Sequence, residues 1–376
     1  QILVEMWEKN YLDDNLLFLT TGMKKVKTGG LRKVSGPSAK HFANNSFGYI
    51  YPLYKTHKIS PDTLKTCSIK DIPTRIVQAA GNTYLSRLTT MLNLILEPIS
   101  VKYCKFKLNE YCKDSKSYLE DLKTWKSSLV DKNCIVSTVD VVNLYPSLTI
   151  NLVTKAIIEA LESCSSYENP MIKYLVQLSE IALLNNFITF QGKYFKQIKG
   201  IITGDNNSVA IANISLHYIM MRTTKLNKAL IVRRFIDDII VISENEMVAT
   251  VIIEDLKNTF KNYDLKLTST IMSTDSGVNT LPFLDVEHVL TRENNKNFFY
   301  TKNFTKITAI NSTFLNGKSF HPLSTFKAII TGEEKRMKRL NERSEDYYKS
   351  LKKLKTKCIA SNFNLKLTED QFEKIL

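Results

Sequence analysis

Two adjacent carboxylates inside an apolar run constrain this chain more than any other feature. Residues 231–243 read IVRRFIDDIIVIS, with Asp237 and Asp238 at the centre and basic residues just before them. Burying an unpaired carboxylate is costly, so such a pair does not enter an apolar run without compensation. The flanking Ile231, Val232, Phe235, Ile236, Ile239, Ile240, Val241 and Ile242 are strand formers. The pattern predicts a β-hairpin: a strand up to Ile236, a tight turn carrying both aspartates, and a strand returning. Two readings of the pair fit that geometry. Carboxylates on a hairpin tip suit a divalent cation, and Asp is also an ordinary turn residue.

The upstream chain offers a third carboxylate. In CIVSTVDVVNLYPSL (134–148), Ile135, Val136 and Val139 read as a buried strand closed by Asp140, with Tyr145 five residues on. If the two strand regions are neighbours in one sheet, Asp140, Asp237 and Asp238 converge. Three aspartates are enough to clamp two Mg²⁺ ions, which keep water and phosphate oxygens in their shells. Such a site supports in-line displacement at phosphorus.

The 376-residue chain carries a net charge of +15, a surplus that favours polyanions, either nucleic acid or an acidic membrane surface. Seventeen Tyr and eighteen Phe argue against disorder. The six cysteines form no CxxC pair, which excludes a zinc-finger spacing or a dense disulfide framework and points to a reducing, intracellular compartment. No apolar run reaches transmembrane length and no signal peptide is visible. The chain opens on Gln1 rather than Met, so it is expected to begin inside a longer product.

Along the chain, residues 1–20 read as a helix and 21–40 as a basic, Gly-rich arm that is either a solvated linker or a nucleic-acid contact. Arg75 enters the strand-like Ile76-Val77, where an internal ion pair and a phosphate are both open readings. Residues 83–100 show helical periodicity closed by Pro98. FITFQGKYF predicts a hairpin around Gln191-Gly192. The loop from Gly200 to Gly204 permits close backbone approach, and a helix with small residues on one side follows from Ser208. LPFLDVEHVL (281–290) and NFFYTKNF (297–304) read as a second hairpin. The tail beyond 320 is helical, and residues 335–357 hold ten Lys/Arg against three acids, either a solvated face or a nucleic-acid groove.

The order of these blocks resembles the polymerase palm of reverse transcriptases. DVVNLY (Asp140, Tyr145) resembles block A, QIKGIITGDNNSVAIAN block B, and Phe235-Ile236-Asp237-Asp238 block C. The nearest resemblance is to Penelope-like retroelement enzymes, related to telomerase. It rests on PLYKTHK at 52–58, the intact LPFLDV at 281–286, and the elements Tyr300 to Lys302, Ser319 to Pro322 and Gly332 to Arg336. It covers roughly residues 47–345.

The resemblance implies an α+β right-hand polymerase: an N-terminal helix and basic arm (1–40), fingers with the start of the palm (41–135), a palm of antiparallel sheet on helices (136–300, with a fingers insertion around 165–195) and a helical thumb (301–376). Asp140 and Asp237 would be metal ligands and Asp238 a supporting carboxylate near the primer end, with Mg²⁺ as cofactor and Mn²⁺ as substitute. Tyr145 would exclude a 2′-hydroxyl. Arg75, with Lys55 or Lys58, would hold the incoming triphosphate, and Gln197, Gly200 and Gly204 would shape the nucleotide and template pocket. Lys335, Arg336, Arg339, Lys352 and Lys353 would grip the duplex of RNA template and DNA primer. The implied activity is RNA-directed DNA synthesis from dNTPs, with an RNA-dependent RNA polymerase or a non-catalytic nucleic-acid scaffold as alternatives. An intracellular, nuclear location and no membrane partner are implied. The GIY-YIG endonuclease that many Penelope-like elements carry is not visible before Leu376: an endonuclease domain or partner either lies outside this chain or was never there. One departure stands out: Gly204 is followed by Asp205-Asn206-Asn207-Ser208, where the family continues Gly-Ser-Pro.

Overall fold

A computed structural model describes residues 23–25, 31–33, 47–55, 59, 63, 66–68, 72, 74–80, 83–129, 133–190, 193–273, 277, 279–293, 296–305 and 314–375. The expected helix over 1–20 lies outside them. After the antiparallel pair β1 (Met23–Lys25) and β2 (Leu31–Lys33) come β3 (Gly48–Tyr54), β4 (Thr74–Ala79), α1 (Ser86–Lys105) and α2 (Ser115–Leu129). β5 (Ile135–Val141) leads through the short α3 (Leu144–Ser147) into α4 (Ile150–Cys164), α5 (Asn169–Leu184) and the hairpin β6 (Phe187–Phe190) and β7 (Lys193–Lys196). Next are α6 (Ser208–Met220), β8 (Ile231–Phe235), β9 (Asp238–Ser243), α7 (Glu246–Lys261) and β10 (Leu267–Ile271). β11 (Thr280–Phe283), β12 (Val286–Glu293) and β13 (Lys296–Asn303) precede α8 (Leu323–Leu340), α9 (Ser344–Ala360) and α10 (Leu365–Ile375).

The central sheet has the order β10-β5-β9-β8 and is antiparallel throughout. Strand alternation sends Val139, Val141, Ile239, Val241 and Leu267 to one face. There they join Leu92, Leu96, Val153, Ile157, Ile214, Ile252 and Leu256 from α1, α4, α6 and α7 in the main core. α6 is buried on nearly every side and packs on α1 and α4, which its Ala210, Ala212 and Ser215 allow. The other face is divided. Val136, Ile240 and Ile242 are covered by Leu281, Phe283, Val286 and Phe299 of the three-stranded sheet β11-β12-β13. Beyond that cover lie Thr138, Asp140, Asp238, Thr268 and Thr270, with Pro282 closing one side of a cleft of about 150 Å³.

A second four-stranded sheet, β4-β3-β6-β7, contains Arg75, and its β3–β6 pairing is parallel. The three C-terminal helices hold their own core of Phe326, Ile330, Leu351, Leu354, Cys358, Phe363 and Phe372. Polar contacts fasten them to α2 and the three-stranded sheet: Glu342 accepts from Lys126 of α2 and from Thr301 of β13, and the Arg343 guanidinium stacks 3.6 Å from the Tyr300 ring.

Two elements differ from the sequence pattern. Pro98 does not close its helix, because α1 continues to Lys105. Pro98 and Leu94, whose carbonyl loses its i+4 donor, both face solvent, which lessens the cost of the missing bond. LPFLDVEHVL is two strands rather than one: Leu284, at φ +57, turns the chain between β11 and β12. Among the described residues no helix is long and apolar enough to cross a membrane.

Candidate active site

The block C hairpin is tighter than its sequence suggests. Phe235 pairs with Asp238, so the connecting turn contains only Ile236 and Asp237. Two-residue hairpin turns need positive φ at one or both positions, and Ile236 adopts φ +52. A β-branched residue there is strained by about 1–3 kcal/mol. Asp237 therefore stands at the tip, while Asp238 is the first residue of β9 and lies directly across from Asp140 on β5. Side chains of directly opposed residues share a face, with Cβ atoms about 4.5–5.5 Å apart. On the other flank Asp140 faces Thr268 of β10. Three acidic residues thus lie at one end of the sheet, with Asp140 and Asp238 lining the cleft left open by the three-stranded sheet and Asp237 on the adjoining turn. Clustered carboxylates in half-exposed surroundings are hard oxygen donors, a donor set that fits Mg²⁺ or Mn²⁺.

Tyr145 joins this end through a sharp change of direction after β5. Asn143 takes the left-handed conformation, φ 50, and starts α3, which carries Tyr145. Burial pushes the Tyr145 phenol up, the Asp237 carboxylate adds to that, and the Arg75 guanidinium opposes it. The Tyr145 phenol therefore sits within electrostatic reach of both Asp237 and Arg75, although Arg75 belongs to the other sheet.

The block B loop is stitched to both partners. Its Ile201 N–H donates to the Tyr145 carbonyl (2.8 Å), and its Thr203 carbonyl accepts from Gln78 N–H of β4 (3.1 Å). Gly200 has φ +81, and a Cβ there would meet Pro146 backbone atoms at 2.6–2.9 Å; Gly204 has φ +114, and a Cβ there would lie 2.7 Å from the Gln78 carbonyl oxygen. Both glycines are required by close backbone approach as well as by torsion. Beneath the loop Gln78 and Asn186 exchange side-chain amide bonds (2.7 and 3.1 Å), and Asn186 also donates to Gln197. Asp205 turns toward α1: its carboxylate accepts from Thr89 Oγ1 (2.7 Å) and Asn206 N–H (2.8 Å), while the Asn206 amide reaches Thr90. Burial pushes the Asp205 carboxyl up.

The family model described as Reverse transcriptase (RNA-dependent DNA polymerase) matches residues 71–271, just over half of the chain. The chain belongs to the reverse transcriptase family. No functionally curated protein matches it. Among solved structures its fold is similar to the apo telomerase of Candida tropicalis, with a TM-score of 0.58, 12% identity, 98% of this chain and 63% of that chain covered. It is also similar to the telomerase of Candida albicans in complex with a fragment of telomeric RNA (TM-score 0.59, 11% identity, 99% and 63% covered). A third likeness is to the RNA-dependent RNA polymerase of a human picobirnavirus, as an insertion-loop deletion mutant (TM-score 0.53, 9% identity, 88% and 61% covered). The chain thus spans less than two thirds of each of these solved chains. The shared feature is the polymerase palm fold, an α+β arrangement.

The residues singled out from the sequence divide into groups. Asp140, Asp237, Asp238, Tyr145 and Arg75 come together, and Gly200 and Gly204 border them. Lys55 follows β3 and is half-buried, whereas Lys58 lies outside the described residues. Gln197 binds Asn186 and the Lys199 carbonyl, so its amide helps to shape the loop. Lys335, Arg339, Lys352 and Lys353 are exposed on α8 and α9. Arg336 differs from them: its guanidinium pairs with Asp285 and Glu333, both at 2.9 Å. Sequence reasoning missed Gln78 and Asn186, whose partners lie 108 residues apart. It also passed over Arg234, although a charge inside the apolar run was itself a signal.

Proposed function

We propose that this chain is the polymerase core of an RNA-directed DNA polymerase of the Penelope-like retroelement type, extending the 3′-hydroxyl of a DNA primer on an RNA template with dNTPs. The observation that carries the reading is the register of Asp140 against Asp238, with Asp237 on the adjoining turn and the Tyr145 phenol in the fields of both Asp237 and Arg75. Asp140 and Asp237 would hold divalent cations, with Asp238 supporting them. When bound, two Mg²⁺ ions (or Mn²⁺) would activate the attacking oxygen and neutralise charge on the leaving pyrophosphate.

The chain's own groups do the positioning. Arg75 draws the triphosphate toward the tip, and the Tyr145 ring lies under the sugar and excludes a 2′-hydroxyl. The Gly200–Gly204 loop, pinned to Tyr145 and Gln78, fixes the floor against which the base pair rests. Residues 41–135 act as fingers with the start of the palm, 136–300 as palm with a fingers insertion around 165–195, and 301–376 as thumb. The exposed Lys335, Arg339, Lys352 and Lys353 of that thumb provide sequence-independent phosphate contacts. An endonuclease supplied outside these residues and a nuclear site of action complete the retroelement reading.

Primer extension with purified protein on RNA and DNA templates, in Mg²⁺ and in Mn²⁺, tests this. Extension with dNTPs on RNA is expected, and Asp237→Asn is expected to lower it about a thousandfold. Preference for NTPs, or unchanged extension by the variant, would overturn the assignment.

A further inference from the structure

Arg233 and Arg234 are consecutive on β8 and point to opposite faces. Arg233 stacks 4.2 Å from the Trp125 ring and pairs with Asp121. Arg234 is wholly buried, with a side-chain exposure of 0%. Its Nη1 donates to Asn213 Oδ1 (2.9 Å) and to the carbonyl of Ile236 (3.0 Å). Its Nη2 donates to Glu110 Oε1 (3.0 Å), the Asn213 carbonyl (3.2 Å) and Cys104 Sγ (3.2 Å). Glu110 Oε1 is also 2.8 Å from His217 Nδ1. The backbone reinforces the arrangement: Arg234 N–H donates to the Glu110 carbonyl, and Cys112 N–H donates to the Arg234 carbonyl. The segment around Tyr111 thereby lies along the exposed edge of β8.

Cys104, Glu110 and His217 place ligand atoms within 4.8 Å of one another, a spacing that would suit a metal. The guanidinium already lies 3.0 Å from Glu110 and 3.2 Å from Cys104, so the cation of this cluster is Arg234. Burial raises the Glu110 carboxyl, but the His217 hydrogen bond and the Arg234 charge outweigh it and hold the group below the usual range. A buried ion pair is rarely more stabilising than apolar residues of the same volume. Stability alone therefore does not account for it. The contact with consequence for the reaction is the one to Ile236, the strained first residue of the turn that carries Asp237.

We propose that Arg234 is a positioning residue: its guanidinium holds the Ile236 carbonyl, and with it the turn that presents Asp237, while Glu110 and His217 hold the guanidinium. The inference rests on the reading of Asp237 as a metal ligand. Loss of the bond frees the turn to relax, which weakens the metal site while leaving the nucleic-acid surface intact. Supporting groups of this kind alter metal affinity or activity about 10–100-fold.

The test measures primer extension against Mg²⁺ concentration, together with template–primer affinity and thermal unfolding. Arg234→Lys keeps the buried charge beside Glu110, but one ammonium does not span both Glu110 and Ile236. The variant is expected to need about tenfold more Mg²⁺ for half-maximal rate with unchanged template–primer affinity. A folded Arg234→Lys protein with the wild-type Mg²⁺ requirement and rate overturns the proposal. If that variant does not fold, the double variant Glu110→Gln, Arg234→Met leaves no uncompensated charge and carries the same expectation. Failure of both to fold assigns the cluster to folding and also overturns the proposal. Asp237→Asn, run alongside, separates the two levels: full activity there removes the metal-site reading, whereas its loss with a normal Arg234→Lys removes only the role of Arg234.

Discussion

Arg336 on α8 lies 2.9 Å from Asp285, the aspartate of the turn between β11 and β12, so the LPFLDV phrase and the Gly332 to Arg336 element meet in one ion pair. Glu333, one turn earlier on α8, takes another nitrogen of the same guanidinium at 2.9 Å. The Asp285 backbone carbonyl also accepts from Phe304 N–H, which ties the exit of β13 to the same turn. The pair therefore latches the C-terminal helices to the sheet that borders the acidic cleft. If Arg336 acts as a latch, Arg336→Ala and Asp285→Asn should each weaken template–primer binding to a similar degree. The double variant should be little worse than either single one, with a coupling of about 1 kcal/mol. A fall in affinity confined to Arg336→Ala would instead mark direct contact with nucleic acid. Titrations of labelled template–primer against the four proteins decide between these.

The close approach at Gly200 makes its own prediction. Alanine there would place a methyl carbon 2.6 Å from Pro146 Cα, at a backbone φ of +81. The backbone has to move, and the segment that moves includes Tyr145, whose carbonyl is bound by the next residue of the loop. Gly200→Ala should lower stability by about 1–3 kcal/mol. It should also raise the dNTP KM, because the sugar floor shifts while the carboxylates on β5 and β9 stay in register. Denaturant unfolding and steady-state extension kinetics read the two effects separately.

The strands were legible where charge interrupts apolar periodicity, as at Asp140 and at Asp237-Asp238. That a hairpin forms there follows from the same pattern; that its turn holds only Ile236 and Asp237 does not. What pattern cannot convey is pairing across long separations. That Asp238 belongs to a strand, opposite Asp140, is set by a turn of only two residues, whose strain at Ile236 is sustained by tertiary contacts. Asp205 stands where the family pattern continues Gly-Ser-Pro; its carboxylate binds Thr89 on α1, a contact invisible in a linear motif. Arg336 read as one of many basic residues on a helix, and only the fold reveals that Asp285 sits within its reach. Pro98 reads as a helix end by local propensity alone, yet the solvent exposure of its turn lowers the penalty and the helix continues.

His288, in the segment after LPFLDV, should make stability depend on pH. It is fully buried: Tyr118 Oη lies 2.7 Å from its Nε2, and the Leu281 carbonyl lies 3.2 Å from its Nδ1. Burial pushes the imidazole down to about 4 from 6.5, outweighing that backbone bond. Because the folded value is depressed, the unfolded chain binds more protons between these two values. The contribution is fully present above about pH 6.5, is lost as pH falls toward about 4, and changes no further below that. At about 1.4 kcal/mol per unit the loss amounts to roughly 3 kcal/mol. Urea unfolding across this window should show the slope in the wild type, and His288→Phe should flatten it.

Tyr145 carries the prediction closest to substrate choice. Its ring is half-buried at the start of α3, and its hydroxyl feels both Asp237 and Arg75. Tyr145→Ala leaves β5 and the register of Asp140 with Asp238 untouched, since the strand ends at Val141. The proposed block to a 2′-hydroxyl would then be gone while the three carboxylates remain. The ratio of kcat/KM for dNTP to that for NTP should fall by about 10- to 100-fold, chiefly through faster ribonucleotide insertion. Competition between dNTP and NTP in single-nucleotide extension measures that ratio directly. An unchanged ratio, with extension otherwise intact, would take sugar selection away from Tyr145 and leave it as packing between α3 and the block B loop.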